Sequence, residues 1–287
     1  MNINVKIQAI LTCLTWKYSE CKIDETPYGG TNSSYFCTYK DEKYIIRLAA
    51  DNSNLLMINR RAEKAAIEAV RGADYSVPLI YFNADNGDMV TKYIDADAMT
   101  DEEYQQEENI IKRAAIMKDM HSRRTDYFFN PYDDVEKKLK YIRQHNIIMH
   151  ENFNEAYAKY KKKRDANPYW EKQCLGLCHN DVTAGNCLIT KDKKQIYLID
   201  YEFAGMGNIF NDLFCNIAGF STEKQQLFLK EYFGGYSEHM FQKIRDFHVI
   251  VMMWNVTWAY LKSLAPGNAD IDYINYGNEW TELILSL

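Results

Sequence analysis

The spacing of the apolar residues changes near residue 95, and this change limits the folds that the chain can adopt. Before it, alternating runs such as "YIIRLAA", "VPLIYFN" and "DMVTKYI" predict short strands. After it, apolar residues recur every three or four positions over long stretches, which predicts helices. The sequence therefore predicts an α+β fold in two lobes, an antiparallel-sheet lobe over residues 1–93 and a mainly helical lobe over residues 94–287.

Local signals place the elements of the first lobe. We expect an amphipathic helix at about residues 4–15, three strands between residues 21 and 50, and a second helix over residues 54–71. The Asn86-Gly87 pair predicts a tight turn between two further strands. The first lobe is thus expected to be an antiparallel sheet with a helix packed on it.

The second lobe should consist of long helices interrupted by one short group of strands. That group covers residues 174–200, where "CLGLCH", "NCLIT" and "QIYLID" are short apolar runs. Helices resume after it. The long helices before it are expected over residues 100–124, 132–147 and 151–166.

Charge and cysteine content limit the partners and the compartment. A formal net charge of −6 argues against nucleic acid as the main partner, because phosphate backbones require a surplus of Lys and Arg on one face, and it suits a cationic small molecule better. The seven cysteines include no CxxC pair, which favours reduced thiols over disulfides or zinc ligation. No apolar run is long enough for a signal peptide or a membrane span. We expect a cytoplasmic monomer or homodimer without membrane insertion.

The segment "HNDVTAGN" carries the strongest chemical signal. It places His179, Asp181 and Asn186 in the spacing HxDxxxxN, and Asp200 follows at the end of the apolar run "QIYLID". Phosphoryl transfer needs an aspartate to accept the proton of the acceptor hydroxyl, and oxygen ligands for Mg²⁺. We interpret Asp181 as the base and Asn186 with Asp200 as magnesium ligands. The alternative is a structural loop in which His179 and Asn186 only hold the backbone.

Two longer segments around this motif resemble a known family. "LCHNDVTAGNCLI" and "LIDYEFAGMGNIFNDL" are similar to signature segments of the choline/ethanolamine kinases, within the aminoglycoside-phosphotransferase superfamily of protein-kinase-like folds. "GGTNSSY" resembles that family's phosphate loop, "YIIRL" its strand with a phosphate-contacting basic residue, and "NRRAEKAAI" its helix with a partner glutamate. The resemblance covers most of residues 28–220. It implies a bilobal kinase-like fold with ATP and Mg²⁺ between the lobes.

The resemblance also implies roles for single residues on the nucleotide side. Arg47 would contact the phosphates and pair with Glu63, and the backbone at Tyr93 and Ile94 would meet the adenine. Simpler interpretations exist, because Arg47 could be an exposed strand residue and Glu63 could contact only its own helix. The loop lacks the third glycine of GxGxxG and could be an ordinary hairpin. Its backbone N–H groups would otherwise cradle phosphate at Gly29, Gly30, Thr31, Asn32 and Ser33.

Aromatic residues are concentrated near the C-terminus, where an acceptor pocket is expected. Trp254 and Trp258 share a helix face, and aromatic faces bind quaternary ammonium groups, although such a pair can equally be core packing. The resemblance favours a cage, since choline kinases have a tryptophan-bearing helix here and "DIDYINYGNEW", which begins three residues before Tyr273, is similar to their following segment. The family spacing is WxxW, whereas this chain has WxxxW. Glu202 takes the position of a family glutamate and would help to neutralise the cation.

Together these features predict a kinase that transfers the γ-phosphoryl of ATP to choline and releases phosphocholine and ADP. The same fold could instead act on an aminoglycoside or on another amino alcohol such as ethanolamine. An aminoglycoside pocket should be acidic rather than aromatic, which disfavours the first alternative. A catalytically silent pseudokinase is a further alternative, and the intact set of Asp181, Asn186 and Asp200 disfavours it.

Overall fold

The structure is a computed structural model that describes residues 3–26, 32–50, 55–167, 169, 174–265 and 271–287. The strands are β1 (Cys21–Glu25), β2 (Ser33–Tyr39), β3 (Glu42–Leu48), β4 (Leu79–Phe82), β5 (Met89–Lys92), β6 (Ala96–Ala98), β7 (Leu175–Cys178), β8 (Cys187–Thr190), β9 (Ile196–Leu198) and β10 (Gly205–Asn208). The α-helices are α1 (Ile3–Cys13), α2 (Arg60–Ala69), α3 (Asp101–Tyr104), α4 (Glu107–Ser122), α5 (Pro131–Gln144), α6 (Phe153–Ala166), α7 (Ile209–Ile217), α8 (Thr222–Phe233), α9 (Glu238–Arg245), α10 (His248–Lys262) and α11 (Tyr273–Leu285).

The N-terminal part is built on one antiparallel sheet with the strand order β1-β2-β3-β5-β4. Alternation along β2 buries Tyr35, Cys37 and Tyr39, and this face packs against Ile7 and Ile10 of α1 in one apolar cluster. The Asn86-Gly87 turn joins β4 and β5, with Gly87 in the left-handed region at φ 89°. The predicted antiparallel sheet with its hairpin is confirmed.

The remainder of the chain is mainly helical and contains two small antiparallel sheets. One pairs β7 with β10, and the other has the order β6-β8-β9. A second and larger apolar core joins these helices, and it includes Ala66 and Ile67 of α2. Helix α2 contacts β4 of the N-terminal sheet and β10 of the helical part, so it lies where the two parts meet.

Two helices differ from the sequence prediction. The helix expected over residues 54–71 begins only at Arg60, because the Asn59 side chain accepts hydrogen bonds from the N–H groups of Arg61 and Ala62 and caps the helix there. The helix expected over residues 100–124 is divided into α3 and α4. A Thr100–Glu103 capping box starts α3, and α3 ends at Tyr104, with Gln105 as its C-cap.

Strand β10 was not predicted, because "GMGN" has no apolar alternation. It forms beside β7 in a space that only glycine fits. A Cβ on Gly207 would lie 2.6 Å from the hydroxyl oxygen of Tyr169. Close backbone approach, and not side-chain pattern, therefore makes this strand.

Two global properties can be stated for the described residues. None of their helices is both long enough and apolar enough to cross a bilayer. The seven cysteines, all of which lie in the described part of the chain, form no disulfide.

Gly176 in β7 offers a test of how tightly the helical part is packed. A Cβ there would lie 2.6 Å from the carbonyl oxygen of His121 and 2.8 Å from Ile209 Cγ2. We expect Gly176→Ala to lower the free energy of unfolding by about 1–3 kcal/mol, since backbone must move to admit the methyl group. Urea denaturation followed by circular dichroism measures this change. Gly235→Ala is the matched control, because no atom lies within 4 Å of its Cβ position; equal stability of the two variants would contradict the packing.

Candidate active site

The β8–β9 hairpin brings the motif residues together. Cys187 pairs with Leu198 in this hairpin, so Asn186 just before β8 lies beside the residues that follow β9. The Ile199 N–H donates to the carbonyl of Asn186 at 3.0 Å, and a ring nitrogen of His179 contacts the Ile199 carbonyl at 3.0 Å. Both ends of the motif, His179 and Asn186, are thus held next to Ile199, the residue before Asp200.

The side chains of Asp181 and Asn186 are hydrogen-bonded to each other. Asn186 Nδ2 donates to Asp181 Oδ2 at 2.8 Å and to the Asp181 carbonyl at 2.9 Å. Since both amide hydrogens point to Asp181, the amide oxygen is the atom that can face another ligand. Burial raises the pKa of Asp181 to about 7, and the hydrogen bond from Asn186 opposes this shift.

A buried aspartate holds the backbone of this loop. Asp212 accepts the N–H of His179 at 2.8 Å and the N–H of Asn180 at 2.7 Å, and it contacts His121 Nε2 at 3.0 Å. Asn180 has φ 63°, a left-handed backbone that needs such support. Burial alone would raise the pKa of Asp212, but the hydrogen bond from His121 and the nearby histidines hold it below its ordinary value. Asp212 therefore fixes the residue that precedes Asp181.

Glu63 lies at the centre of a buried charge network. Its side chain is fully buried. One carboxylate oxygen accepts a hydrogen bond from Arg47 Nη1 at 2.6 Å, and the other accepts one from Arg60 Nη1 at 2.7 Å. Arg60 also donates to Glu202 Oε1 at 2.8 Å, and Asn32 Nδ2 donates to the same oxygen at 2.7 Å. The Arg47–Glu63 pair that the resemblance implied is present. It belongs to a larger network whose second arginine, Arg60, had no sequence signal.

Glu202 forms an ion pair with Arg60 at 2.8 Å. Its role in neutralising a cationic acceptor stays a prediction. Burial would raise the pKa of Glu202, and Arg60, Arg47 and Asn32 nevertheless hold it below its ordinary value. Glu202 therefore belongs to the same buried charge network as Arg47, Arg60 and Glu63, because it accepts a hydrogen bond from Arg60.

Asp200 lies beside this network without a hydrogen bond to its buried Oδ1 atom among the described residues. That atom is 4.0 Å from Arg47 Nη1, and the residue has φ 66°. Burial and the carboxylate of Glu202 raise the pKa of Asp200 well above its ordinary value, against the effect of Arg47. Carboxylate oxygens of Glu63, Asp200 and Glu202 all lie within 4.8 Å of one another.

The side-chain oxygens of Asp200 and Asn186 suit a hard divalent cation. A buried carboxylate oxygen without a donor is costly, and a cation would satisfy it. Asp200 and the amide oxygen of Asn186 supply only oxygen ligands, the type that Mg²⁺ prefers. Both residues line the same cleft. Asn186 and Asp200 could therefore hold the magnesium ion that the sequence predicts.

The cleft has a volume of about 380 Å³ and a polar and an apolar end. The backbone of Tyr93 and Ile94 borders the apolar end, where the Tyr93 N–H donates to Lys43 and the Ile94 carbonyl accepts from Ala96. The polar end is formed by Asn32, Arg47, Glu63, Asn186 and Asp200. The apolar end is lined by Phe36, Ile45, Ile67, Val70, Val77, Met89, Leu188 and Leu198.

The predicted phosphate loop falls mostly outside the described residues, which do not include Gly29, Gly30 and Thr31. The two remaining members have different positions. Asn32 lines the cleft and also accepts the N–H of Ala50 at 3.2 Å, whereas Ser33 is exposed at the start of β2. Asn32 thus ties the end of this loop to Glu202 and β3.

Trp254 is half-buried, and its polar and aromatic groups are engaged from within the protein. Its Nε1–H donates to Asp134 Oδ2 at 2.6 Å, and the Lys138 ammonium lies 3.8 Å from its ring centroid. The Phe203 ring packs edge-on at 4.8 Å. Neither Asp134 nor Lys138 was predicted, because on α5 they form an ordinary i,i+4 pair in sequence.

Trp258 and Tyr273 form the other part of the predicted aromatic wall. Both are half-buried, and their rings meet edge to face with centroids 5.8 Å apart. The buried Lys262 places its ammonium 5.9 Å from the Tyr273 centroid. The structure therefore brings these two rings together at the end of α10 and the start of α11.

Two sequence relatives match part of the chain. An uncharacterised protein of Mycoplasma pneumoniae is 27% identical over 192 residues, which are 67% of this chain and 62% of that protein. A probable choline kinase of Arabidopsis thaliana is 25% identical over 136 residues, which are 37% of each chain. The matched regions span less than two thirds of the length of either relative.

Solved structures and a family model agree on the fold. The choline kinase LicA from Streptococcus pneumoniae has a TM-score of 0.77 at 19% identity, over 99% of each chain. LicA in complex with AMP has a TM-score of 0.73 at 18% identity, over 98% of each chain. The predicted kinase-like α+β fold is thus confirmed. Because the model described as "Phosphotransferase enzyme family" matches residues 24–247, most of the chain, this protein belongs to that phosphotransferase family.

Proposed function

We propose that this protein transfers the γ-phosphoryl of ATP to the hydroxyl of a small amino alcohol, with choline as the leading acceptor. The observation that carries the proposal is that Asn186 and Asp200 line one cleft together with the Arg47–Glu63 pair, and that Asn186 is hydrogen-bonded to Asp181. This set matches the needs of phosphoryl transfer, in which positioning and electrostatics supply nearly all of the catalysis.

The cleft accounts for the nucleotide. Its apolar end would enclose the adenine, and the carbonyl of Tyr93 and the N–H of Ile94 would meet the edge of the base. Arg47, held by Glu63, would face the phosphates at the other end. The boundary between the lobes at residues 93 and 94 is part of this proposal, supported by β6, which pairs with β8 directly after it.

Asn186 and Asp200 would hold Mg²⁺, which supplies positive charge against the phosphate oxygens when bound. Asp181 would accept the hydrogen bond of the acceptor hydroxyl, orient it for in-line attack and take its proton. Asn186 restricts the Asp181 carboxylate through one oxygen, so the other oxygen can meet the acceptor. Asp212 keeps the backbone of the loop in place during this step.

The choice of acceptor rests on chemistry close to the catalytic loop. Phe203 follows Glu202 and accepts a hydrogen bond from Asn180 Nδ2 through its carbonyl at 2.9 Å, so the rings around it border the loop that bears Asp181. Trp258 and Tyr273, whose rings meet on α10 and α11, add aromatic surface that suits a substituted ammonium better than a polycationic sugar. Choline kinases among the relatives support the same class.

An acceptor panel tests the function directly. Purified protein with Mg-ATP should release ADP at least tenfold faster with choline or ethanolamine than without acceptor, a difference of about 1.4 kcal/mol in barrier. Kanamycin and thiamine serve as comparison acceptors of different shape. Faster turnover with kanamycin than with choline or ethanolamine would overturn the assignment of an amino-alcohol acceptor. If none of the four acceptors increased ADP release, the proposed kinase activity on small alcohols would be overturned.

Replacing the base should separate binding from turnover. Asp181→Ala is expected to reduce kcat by about 10²–10⁴-fold, the usual contribution of a positioned base, while the Kd for ATP changes little. Steady-state ADP release and nucleotide titration measure the two quantities. Asp126→Ala, on an exposed aspartate, is the control and should change neither. Near-normal kcat in the Asp181 variant would end the assignment of the base.

Replacing the metal ligand should change the magnesium dependence of nucleotide binding. Asp200→Asn removes one anionic ligand, so the gain in ATP affinity on adding Mg²⁺ should fall by about tenfold or more, equal to about 1.4 kcal/mol. Titration of ATP with and without MgCl₂ gives this ratio without any turnover. Asp97→Asn lines the same cleft and should keep the wild-type ratio. An unchanged ratio in the Asp200 variant would remove Asp200 from the metal site.

A further inference from the structure

A lysine of the protein itself occupies the aromatic surface predicted for a cationic acceptor. The Lys138 side chain is fully buried, and its ammonium lies 3.8 Å from the Trp254 ring centroid and 5.7 Å from that of Phe203. Both distances are within the range of about 6 Å for cation–π attraction. One face of Trp254 is therefore already in contact with a positive charge.

Asp134 fixes both partners of this contact. Its Oδ2 atom lies 2.6 Å from Lys138 Nζ and accepts the Trp254 Nε1–H at 2.6 Å. A fully buried lysine is rare unless it is paired, and here a carboxylate and an aromatic ring surround it. The three side chains thus form a closed cluster, which we name the Asp134–Lys138–Trp254 triad.

The triad adjoins the catalytic loop. Trp254 packs against the Phe203 ring at 4.8 Å, and the Phe203 carbonyl accepts from Asn180, the residue before Asp181. An acceptor held near Asp181 would therefore have its ammonium group close to the triad. A second cation brought to the Trp254 face that Lys138 covers would meet like charge at short range, which disfavours binding there.

We propose that Lys138 is a specificity-determining residue whose ammonium takes the place of a quaternary ammonium on Trp254. This inference rests on the proposed function and narrows its acceptor: with Lys138 present, choline binds without help from Trp254 and gains no advantage over ethanolamine from that ring. Without Lys138, Trp254, Phe203 and Asp134 form a cage with two aromatic rings and one carboxylate. That cage has the chemistry that recognises trimethylammonium.

Lys138→Ala is the primary test, because alanine removes both the ammonium and the side chain that covers the Trp254 ring. Isothermal titration with choline chloride should show about tenfold tighter binding to this variant than to the wild type, the size of one desolvated cation–π contact. The ratio of kcat/KM for choline to that for ethanolamine should rise by a similar factor. Lys140→Ala, on an exposed lysine of the same helix, is the control and should change neither value. Equal choline affinity in the wild type and in Lys138→Ala, including no binding to either, overturns the proposal.

Trp254→Leu provides a second test that does not depend on the folding of Lys138→Ala. In the wild-type background it should change the Kd for choline by less than about twofold, because Lys138 already covers the ring face. In the Lys138→Ala background it should remove the gain. A tenfold loss of choline affinity from Trp254→Leu alone would overturn the proposal. Choline titration needs no turnover, so failure of the kinase assay with every acceptor would be a separate result.

Discussion

The hydrogen bonds that Asp212 accepts from the backbone of His179 and Asn180 are the constraint on which the site depends. They hold Asn180 in a left-handed conformation, which asparagine adopts more readily than most residues. Asp181 follows Asn180 directly, so the fully buried carboxylate of Asp212 also sets the direction of the Asp181 side chain. His121 from α4 completes this anchor and connects it to the helical core. The reactive loop is therefore rigid because its backbone donors are satisfied inside the protein.

Charge is distributed unevenly around the cleft, and the unevenness has chemical meaning. Glu63 binds two arginines, and Arg60 binds two carboxylates, so these charges balance one another. Asp200 has only the more distant Arg47, at 4.0 Å, and keeps a buried oxygen without a hydrogen bond among the described side chains. The same network that fixes Arg47 thus leaves one carboxylate unsatisfied. Such a residue is suited to a cation that arrives with its nucleotide.

What could be predicted from the sequence follows from the range of the interactions. The HxDxxxxN motif and Asp200 are joined by a short hairpin, so their spacing was enough to bring them together, and the alternating strands were equally local. Arg60 and Glu202 are 142 positions apart, and Asp134 and Trp254 are 120 apart. No periodicity encodes such pairs. The start of α2 was missed for a different reason, since the Asn59 cap outweighed the helical pattern before it.

Lys138 shows why aromatic content alone is a weak guide to a ligand. A tryptophan near a catalytic loop can be satisfied by a ligand or by the protein, and the sequence is similar in both cases. On α5, Asp134 and Lys138 have the spacing of an exposed helical ion pair, yet Lys138 is fully buried against the ring. Burying that charge is tolerated only because the carboxylate and the π face are both present. Under the role proposed for Lys138, acceptor recognition by this protein therefore depends on which cation, internal or bound, is held by the aromatic surface.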